Sequence, residues 1–136
     1  MNVLEQIVGN KRKEIEAAKA RISLQQLKAG LYFDRPCLSL AKSLNERAGI
    51  IAEFKRKSPS KGVIRQPASV MEITRSYALH GASACSILTD HAFFAGSLQD
   101  ILDARPGLDI PVLRKEFILD PYQVYEAKSG GADLIL

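Results

Sequence analysis

The residues of this chain best placed for chemistry are charged side chains that interrupt two apolar segments. In residues 50–55 the two-residue period of a β-strand puts Glu53 and Lys55 on one face. The same alternation in residues 111–117 puts Lys115 late in a second apolar strand. Ionisable groups are costly to bury unless they are paired, and carboxylates and lysines are common proton donors and acceptors. These residue types therefore indicate acid–base chemistry, with lysines that can also bind an anion.

Each of these charged positions also has a purely structural interpretation. Glu53 and Lys55 would form a simple ion pair at a solvated sheet end. Lys115 would be an edge lysine that discourages pairing with other chains. The alternation alone does not decide between the structural and the chemical interpretation.

The segment that follows the first apolar strand is strongly basic. Residues 55–65 hold five lysines and arginines and no acidic residue, in a chain whose net charge is +4. Together with the hydroxyls of Ser58 and Ser60 and with Gly62, these cations could hold an anion, although the segment has neither a P-loop nor a GxGxxG motif. Nucleic-acid binding is an alternative that predicts aromatic residues between the cations, and residues 55–65 contain none. A solvated loop is the simplest interpretation.

The composition is that of one ordinary globular domain. The chain has 136 residues, 46% of them hydrophobic and 25% charged, which excludes disordered and collagen-like proteins. No apolar run reaches the roughly 18 residues that span a bilayer, and the N-terminus lacks the apolar core of a signal peptide. We therefore expect a cytoplasmic protein that does not bind a membrane.

Cysteines and histidines give no sign of a metal or redox site. Cys37 and Cys85 form no CxxC motif, and both are interpreted as small core residues. His80 and His91 have no metal-like spacing, and they are interpreted as a helix-end residue and a loop residue. We expect no metal.

Helices come first along the chain, and strands follow. Helices are predicted over residues 1–21, capped by Asn2 with Glu5, over residues 23–27, ended by Gly30, and over residues 38–44. From residue 49 apolar strands alternate with helices, the pattern of an α/β protein with a parallel sheet. The predicted strands are Ile50–Lys55, Ala84–Thr89, part of Ile110–Phe117, and Ala132–Leu136. The predicted helices between them are Ala68–Leu79, Ser97–Ala104 and Asp120–Ser129, and Gly81 and Gly130 are the predicted helix stops. The chain thus divides into a helical extension over 1–48 and an α/β unit over 49–136.

The sequence stops at Leu136, inside an apolar strand. Four parallel strands with an apolar final edge leave backbone groups ready to pair. Either they form an independent α/β unit, or they are the first half of an eight-stranded (β/α)8 barrel, which usually takes about 250 residues. We favour an apparently truncated half-barrel. We expect it to self-associate through its open sheet edges, to pair with a complementary half, or to be partly disordered.

Three stretches closely resemble indole-3-glycerol phosphate synthases, a family of tryptophan-biosynthesis enzymes with a TIM-barrel fold. They are residues 50–62, IIAEFKRKSPSKG; residues 86–97, which hold SILTD and FFAGS; and residues 112–123, VLRKEFILDPYQ. They are similar to the family's first three barrel strands with the segments that follow them. The resemblance covers residues 50–136 well, and the helical N-terminus is similar to the family's extension before the barrel.

The resemblance implies a carbon–carbon lyase that needs no cofactor. It closes the ring of 1-(2-carboxyphenylamino)-1-deoxyribulose 5-phosphate and decarboxylates it to indole-3-glycerol phosphate. Lys115 matches the catalytic lysine, which protonates the substrate carbonyl oxygen as the ring carbon attacks. Glu53 matches a carboxylate in proton transfer, and Lys55 matches a lysine that binds the substrate's anionic end and helps set the local field.

The resemblance also implies which residues surround the substrate. Ser58 and Pro59 match substrate-loop positions, and Phe94 and Phe117 match walls of the aromatic pocket. The implied partner is a small phosphorylated molecule, not a nucleic acid.

Several features of the family would lie beyond Leu136. They are a second catalytic glutamate, an asparagine and a serine on later strands, and the phosphate site. The chain also has no Trp, so it lacks an aromatic lid contact found in some members. We therefore expect the 136-residue chain alone to be inactive, and the alternative function is that of a structural fragment that associates.

Overall fold

The computed structural model describes residues 1–64 and 69–136. Arg65 of the basic segment and Ala68, the predicted start of a helix, lie outside the described residues. The first part of the chain forms three helices, α1 (Val3–Arg21), α2 (Leu24–Lys28) and α3 (Leu40–Glu46).

Side-chain caps fix where these helices begin. Asn2 accepts a hydrogen bond from the Glu5 amide at 2.8 Å, and the Glu5 carboxylate accepts one from the Asn2 amide at 3.0 Å. This reciprocal pair confirms the predicted capping box. Ser23 caps α2 in the same way. α3 begins later than predicted because Ser39 is its N-cap.

The second part of the chain alternates strands and helices. The strands are β1 (Ile51–Phe54), β2 (Lys57–Ser58), β3 (Gly62–Val63), β4 (Ala84–Leu88), β5 (Val112–Lys115) and β6 (Leu134–Ile135). β1, β4, β5 and β6 form one parallel sheet in that spatial order. The predicted α/β class and the four predicted strands are therefore confirmed, with shorter strands than expected. The arrangement matches the first four βα strands of a (β/α)8 barrel.

β2 and β3 form a short hairpin inside the segment predicted as an irregular loop. They are antiparallel, with Lys57 opposite Val63 and Ser58 opposite Gly62. The loop prediction was wrong for these residues because their backbone groups pair with each other.

Three helices connect the sheet strands: α4 (Val70–Leu79), α5 (Leu98–Ala104) and α6 (Pro121–Gly130), and a 3₁₀ turn at Arg105–Gly107 follows α5. Ser97 and Asp120 cap α5 and α6 as predicted. Gly130 is not the stop of α6 but its last helical residue. The stop is Gly131, whose φ of +98° is a left-handed conformation that favours glycine.

The core lies between the sheet and helices α4, α5 and α6. Phe54, Cys85, Ile87 and Val112 point from the strands into it. Cys85 is fully buried, as predicted, but Cys37 is exposed. The core prediction was wrong for Cys37 because it lies in the irregular segment between α2 and α3, outside the layers that form the core.

Candidate active site

Two of the predicted site residues, Glu53 in β1 and Lys55 directly after it, lie on the sheet face that points away from helices α4–α6. Phe54 is only 3% exposed and packs into the core. The two-residue period therefore turns Glu53 and Lys55 to the opposite face, where their side chains are 27% and 38% exposed. The predicted alternation is confirmed.

Glu53 lies between two lysines. Its Oε1 accepts a hydrogen bond from Lys115 Nζ at 2.9 Å, and its Oε2 lies 3.5 Å from Lys55 Nζ. The contact with Lys115 crosses from β1 to β5 over the intervening strand β4. The structure thus brings together the three side chains that were predicted to be catalytic.

The structural interpretation of Lys115 as an edge lysine is wrong. β5 pairs with β4 on one side and with β6 on the other, so it is an inner strand. Lys115 therefore does not lie at a sheet edge. The simple pair of Glu53 and Lys55 is present, but the shorter contact of Glu53 is with Lys115.

Opposing effects set the pKa of the Glu53 carboxyl group. Burial alone would raise its pKa, but the hydrogen bond and the charge of Lys115 lower it, with further lowering from Lys55 and the Ser86 hydroxyl. The net result is a pKa below the usual 4.5. Glu53 is therefore a carboxylate at neutral pH, with its negative charge stabilised by the two lysines.

Sequence reasoning assigned no role to Ser86, which supports Glu53. Ser86 lies directly opposite Glu53 in the register of β1 and β4. It is 4% exposed, and its Oγ donates to Glu53 Oε1 at 3.2 Å. A hydroxyl in the middle of the apolar strand β4 was the signal that could have identified it. The bond helps hold the Glu53 carboxylate in place.

The two predicted substrate-loop residues belong to the β2–β3 hairpin. Ser58 is 6% exposed, and its Oγ accepts a hydrogen bond from the Lys61 amide at 3.2 Å. Pro59 is exposed. Arg56, just before the hairpin, makes two hydrogen bonds to Asp100 of α5, at 2.7 and 2.9 Å. This cation of the basic segment therefore anchors the start of the hairpin to α5.

Phe94 and Phe117, the predicted walls of an aromatic pocket, contact each other. They follow β4 and β5, and their ring centroids are 6.2 Å apart with planes inclined at 40°. Aromatic pairs interact favourably at such distances. Ala95 next to Phe94 has a φ of +54°, a left-handed conformation that costs about 1–2 kcal/mol for a residue with a Cβ. The loop after β4 is thus held in a specific conformation beside the pair.

Residues 1–64 and 69–136 contain no group of three or more His, Cys, Asp or Glu side chains that could hold a metal ion. Among the described helices, none is long and apolar enough to cross a membrane.

Burial raises the pKa of Cys85 to about 11, so its thiol stays protonated at neutral pH. His80 caps the end of α4, and His91 is an exposed loop residue, as predicted.

Comparison with known proteins shows the family. The family model described as "Indole-3-glycerol phosphate synthase" matches residues 4–136. A protein of that name from Bacteroides thetaiotaomicron is 51% identical over 136 residues, which cover 99% of this chain and 52% of the relative. Proteins of the same name from Burkholderia multivorans and Burkholderia ambifaria are each 45% identical over 139 residues, covering 99% of this chain and 53% of each relative.

These matches agree with the parallel βα architecture. The chain spans about half the length of the curated relatives it matches. The match to the family model nevertheless takes in almost every residue of the chain. The chain therefore belongs to the indole-3-glycerol phosphate synthase family, a TIM-barrel family.

Proposed function

We propose that this chain supplies the N-terminal helices and first four barrel strands of an indole-3-glycerol phosphate synthase in tryptophan biosynthesis. The observation that carries the proposal is the cluster of Glu53, Lys55 and Lys115 at the strand ends, with lysine nitrogens 3.5 and 2.9 Å from one carboxylate. The substrate is 1-(2-carboxyphenylamino)-1-deoxyribulose 5-phosphate, which loses carbon dioxide and water as the indole ring closes. These steps are proton transfers and bond rearrangements, so the proposal includes no cofactor.

Lys115 is the proton donor in this proposal. Its side chain is 42% exposed at the end of β5, so a substrate on the open face of the sheet can reach it. Its ammonium group protonates the substrate carbonyl oxygen while the ring carbon attacks the carbonyl carbon. General acid catalysis of this kind contributes typically about 10²- to 10⁴-fold in rate.

Glu53 moves protons in the same scheme. Burial alone would raise its pKa, but Lys115 and Lys55 hold the pKa below 4.5, so the group remains a carboxylate at neutral pH. The 2.9 Å bond gives a direct path for a proton between Glu53 and Lys115. A carboxylate in this position can take up a proton that the reaction releases from the substrate.

Lys55 binds the anionic end of the substrate. Its contact with Glu53 is the longer of the two, at 3.5 Å, and its side chain is 38% exposed. It can therefore approach a second anion without leaving the cluster. Its positive charge also adds to the local field that favours proton transfer from Lys115.

The substrate's aromatic ring lies against Phe94 and Phe117 in this proposal. The two rings already contact each other at the ends of neighbouring strands. Ser58 and Pro59 approach the substrate from the β2–β3 hairpin. The substrate's phosphate group is bound by segments of later strands, and those strands also supply the remaining catalytic side chains.

A second candidate function has one observation in its favour. β1 and β6 are the outer strands of the described sheet, and Ile51 and Ile135 on them are 43% and 37% exposed. Open strand edges with apolar side chains promote association. In this alternative the chain acts only as a structural fragment that associates with a copy of itself or with a complementary half-barrel.

The decisive experiment joins residues 1–136 to the unmatched part of the Bacteroides thetaiotaomicron relative. We expect the chimera to form indole-3-glycerol phosphate from the substrate, and each half alone to form none. A chimera that folds and binds the substrate but forms no product would contradict the synthase proposal and favour the structural alternative.

A further inference from the structure

A lysine of the N-terminal helix is buried beneath the carboxyl ends of the sheet strands. Ile7, Lys11 and Ile15 lie four residues apart on one face of α1, and they are 4%, 4% and 5% exposed. A lysine is seldom buried this fully unless it is paired. The site described above does not use it.

Lys11 contacts the loops after two strands through two buried carboxylates. Its Nζ lies 2.7 Å from Asp90 Oδ1 and 3.2 Å from Glu116 Oε1. The Asp90 side chain is fully buried and that of Glu116 is 2% exposed. Asp90 follows β4 by two residues, and Glu116 follows β5 directly. A third carboxylate, Glu14, contacts Lys11 from the same helix.

Each of the two buried carboxylates also holds the backbone of the loop that follows it. Asp90 Oδ2 accepts a hydrogen bond from the Phe93 amide at 2.8 Å, and Glu116 Oε1 accepts one from the Phe117 amide at 2.8 Å. The first amide belongs to the residue directly before Phe94, and the second belongs to Phe117 itself. Lys11 is therefore ion-paired, through one carboxylate each, with both loops that carry the aromatic pair.

We propose that Lys11 is a positioning residue that fastens the loops after β4 and β5 to each other, and so holds Phe94 against Phe117 beside Lys115. The assignment of the pair as the wall of a substrate pocket rests on the proposed function. The fastening itself rests only on the contacts of Lys11.

The two carboxylates depend on Lys11 to different degrees. Glu116 has other partners, because its Oε2 accepts a hydrogen bond from the Thr89 hydroxyl at 2.9 Å and lies 3.8 Å from the Arg114 guanidinium. Among the described residues, the ion pair of Asp90 is with Lys11. Loss of the lysine charge therefore leaves the Asp90 charge buried without a cation, and it should loosen the loop after β4 more than the loop after β5.

The test is hydrogen–deuterium exchange of the full 136-residue chain, read by mass spectrometry on peptides over β4 and over the loops after β4 and β5. In Lys11→Met we expect exchange in the loop after β4 to accelerate about tenfold or more, and in the loop after β5 by a smaller factor. Exchange within β4 should be unchanged. Lys11→Gln should give the same pattern, and it keeps the test decisive if the methionine variant unfolds.

Two matched variants on α1 serve as controls. Glu14→Gln removes a carboxylate that contacts Lys11 but holds neither loop, and Lys13→Met removes an exposed lysine. Both should leave exchange in the two loops unchanged. The proposal would be overturned by unchanged loops in both Lys11 variants, or by equal acceleration in β4 and the loops in Lys11→Gln. No outcome requires synthase activity, so a failed synthase proposal would not be mistaken for a failed positioning role.

Discussion

Asp133→Asn should destabilise the fold more than any surface substitution, because the Asp133 carboxylate joins separate parts of the chain. Its side chain is fully buried. Oδ2 accepts hydrogen bonds from Arg105 at 2.7 Å and from the Val112 amide at 2.8 Å. Oδ1 accepts them from Arg35 at 2.7 Å and from the Leu38 amide at 2.8 Å. The asparagine variant keeps the shape but removes the charge.

The size of the effect follows from the burial of Arg105. The Arg105 side chain is 4% exposed, so without the Asp133 charge its guanidinium stays buried and has no carboxylate partner among the described residues. Breaking a buried ion pair in this way costs about 3–5 kcal/mol. Domains of this size have a total free energy of unfolding of about 5–15 kcal/mol. Asp133→Asn should therefore remove a large share of the stability.

Urea unfolding followed by far-UV circular dichroism at pH 7 measures this loss. With a denaturant slope of about 1–3 kcal/mol per molar urea, the midpoint should fall by about 2 M. Two protein concentrations separate unfolding from dissociation, since only dissociation depends on concentration. Asp109→Asn, at an exposed aspartate, is the matched control and should leave the midpoint unchanged.

The pH dependence gives a second check. Burial alone would raise the pKa of Asp133, but the amides of Leu38 and Val112 and the charges of Arg35 and Arg105 lower it below 3.8. The stability that the carboxylate contributes is therefore fully present above pH 3.8 and is lost as the pH falls through the lowered pKa. The difference between the parent and Asp133→Asn should shrink only in that acidic range. A midpoint shift below about 0.5 M at pH 7 would refute the reasoning.

Two further predictions concern the site and the sheet edges. In the chimera, Glu53→Gln should lower turnover by about 10²-fold or more with little change in melting temperature, because the side chain moves protons and is not part of the core. Normal turnover with a lower melting temperature would instead make Glu53 only a structural partner of the lysines. The 136-residue chain alone should scatter light as species larger than its 14.9 kDa, because β1 and β6 leave open edges; a monodisperse monomer with a sharp cooperative melt would contradict that.

Local patterns predicted most of the fold. Alternation, caps and helix-stop glycines located the four sheet strands and the six helices, because these signals act over a few neighbouring residues. The hairpin β2–β3 was missed since two-residue strands have no measurable period. The stop of α6 was placed at the first of two adjacent glycines, and only the backbone angle of Gly131 shows that the second one ends the helix.

Alternation also predicted the faces of Glu53, Lys55 and Lys115, but not the contact between Glu53 and Lys115. The bond of Glu53 to Lys115 depends on the strand order β1-β4-β5, and strand order is a property of the whole sheet. The role of Lys11 was missed for the same reason. Its place between Ile7 and Ile15 on the apolar face of α1 was the local sign, whereas the two loop carboxylates that it contacts lie more than seventy residues away.

The most direct test of the central claim is the turnover of the chimera with and without the Lys115 ammonium group. Lys115→Met keeps much of the volume of the side chain and removes the proton donor. We expect the rate of indole-3-glycerol phosphate formation to fall by about 10²- to 10⁴-fold, while the dissociation constant of the substrate changes little. A Lys115→Met chimera that forms the product at nearly the parent rate would contradict the account.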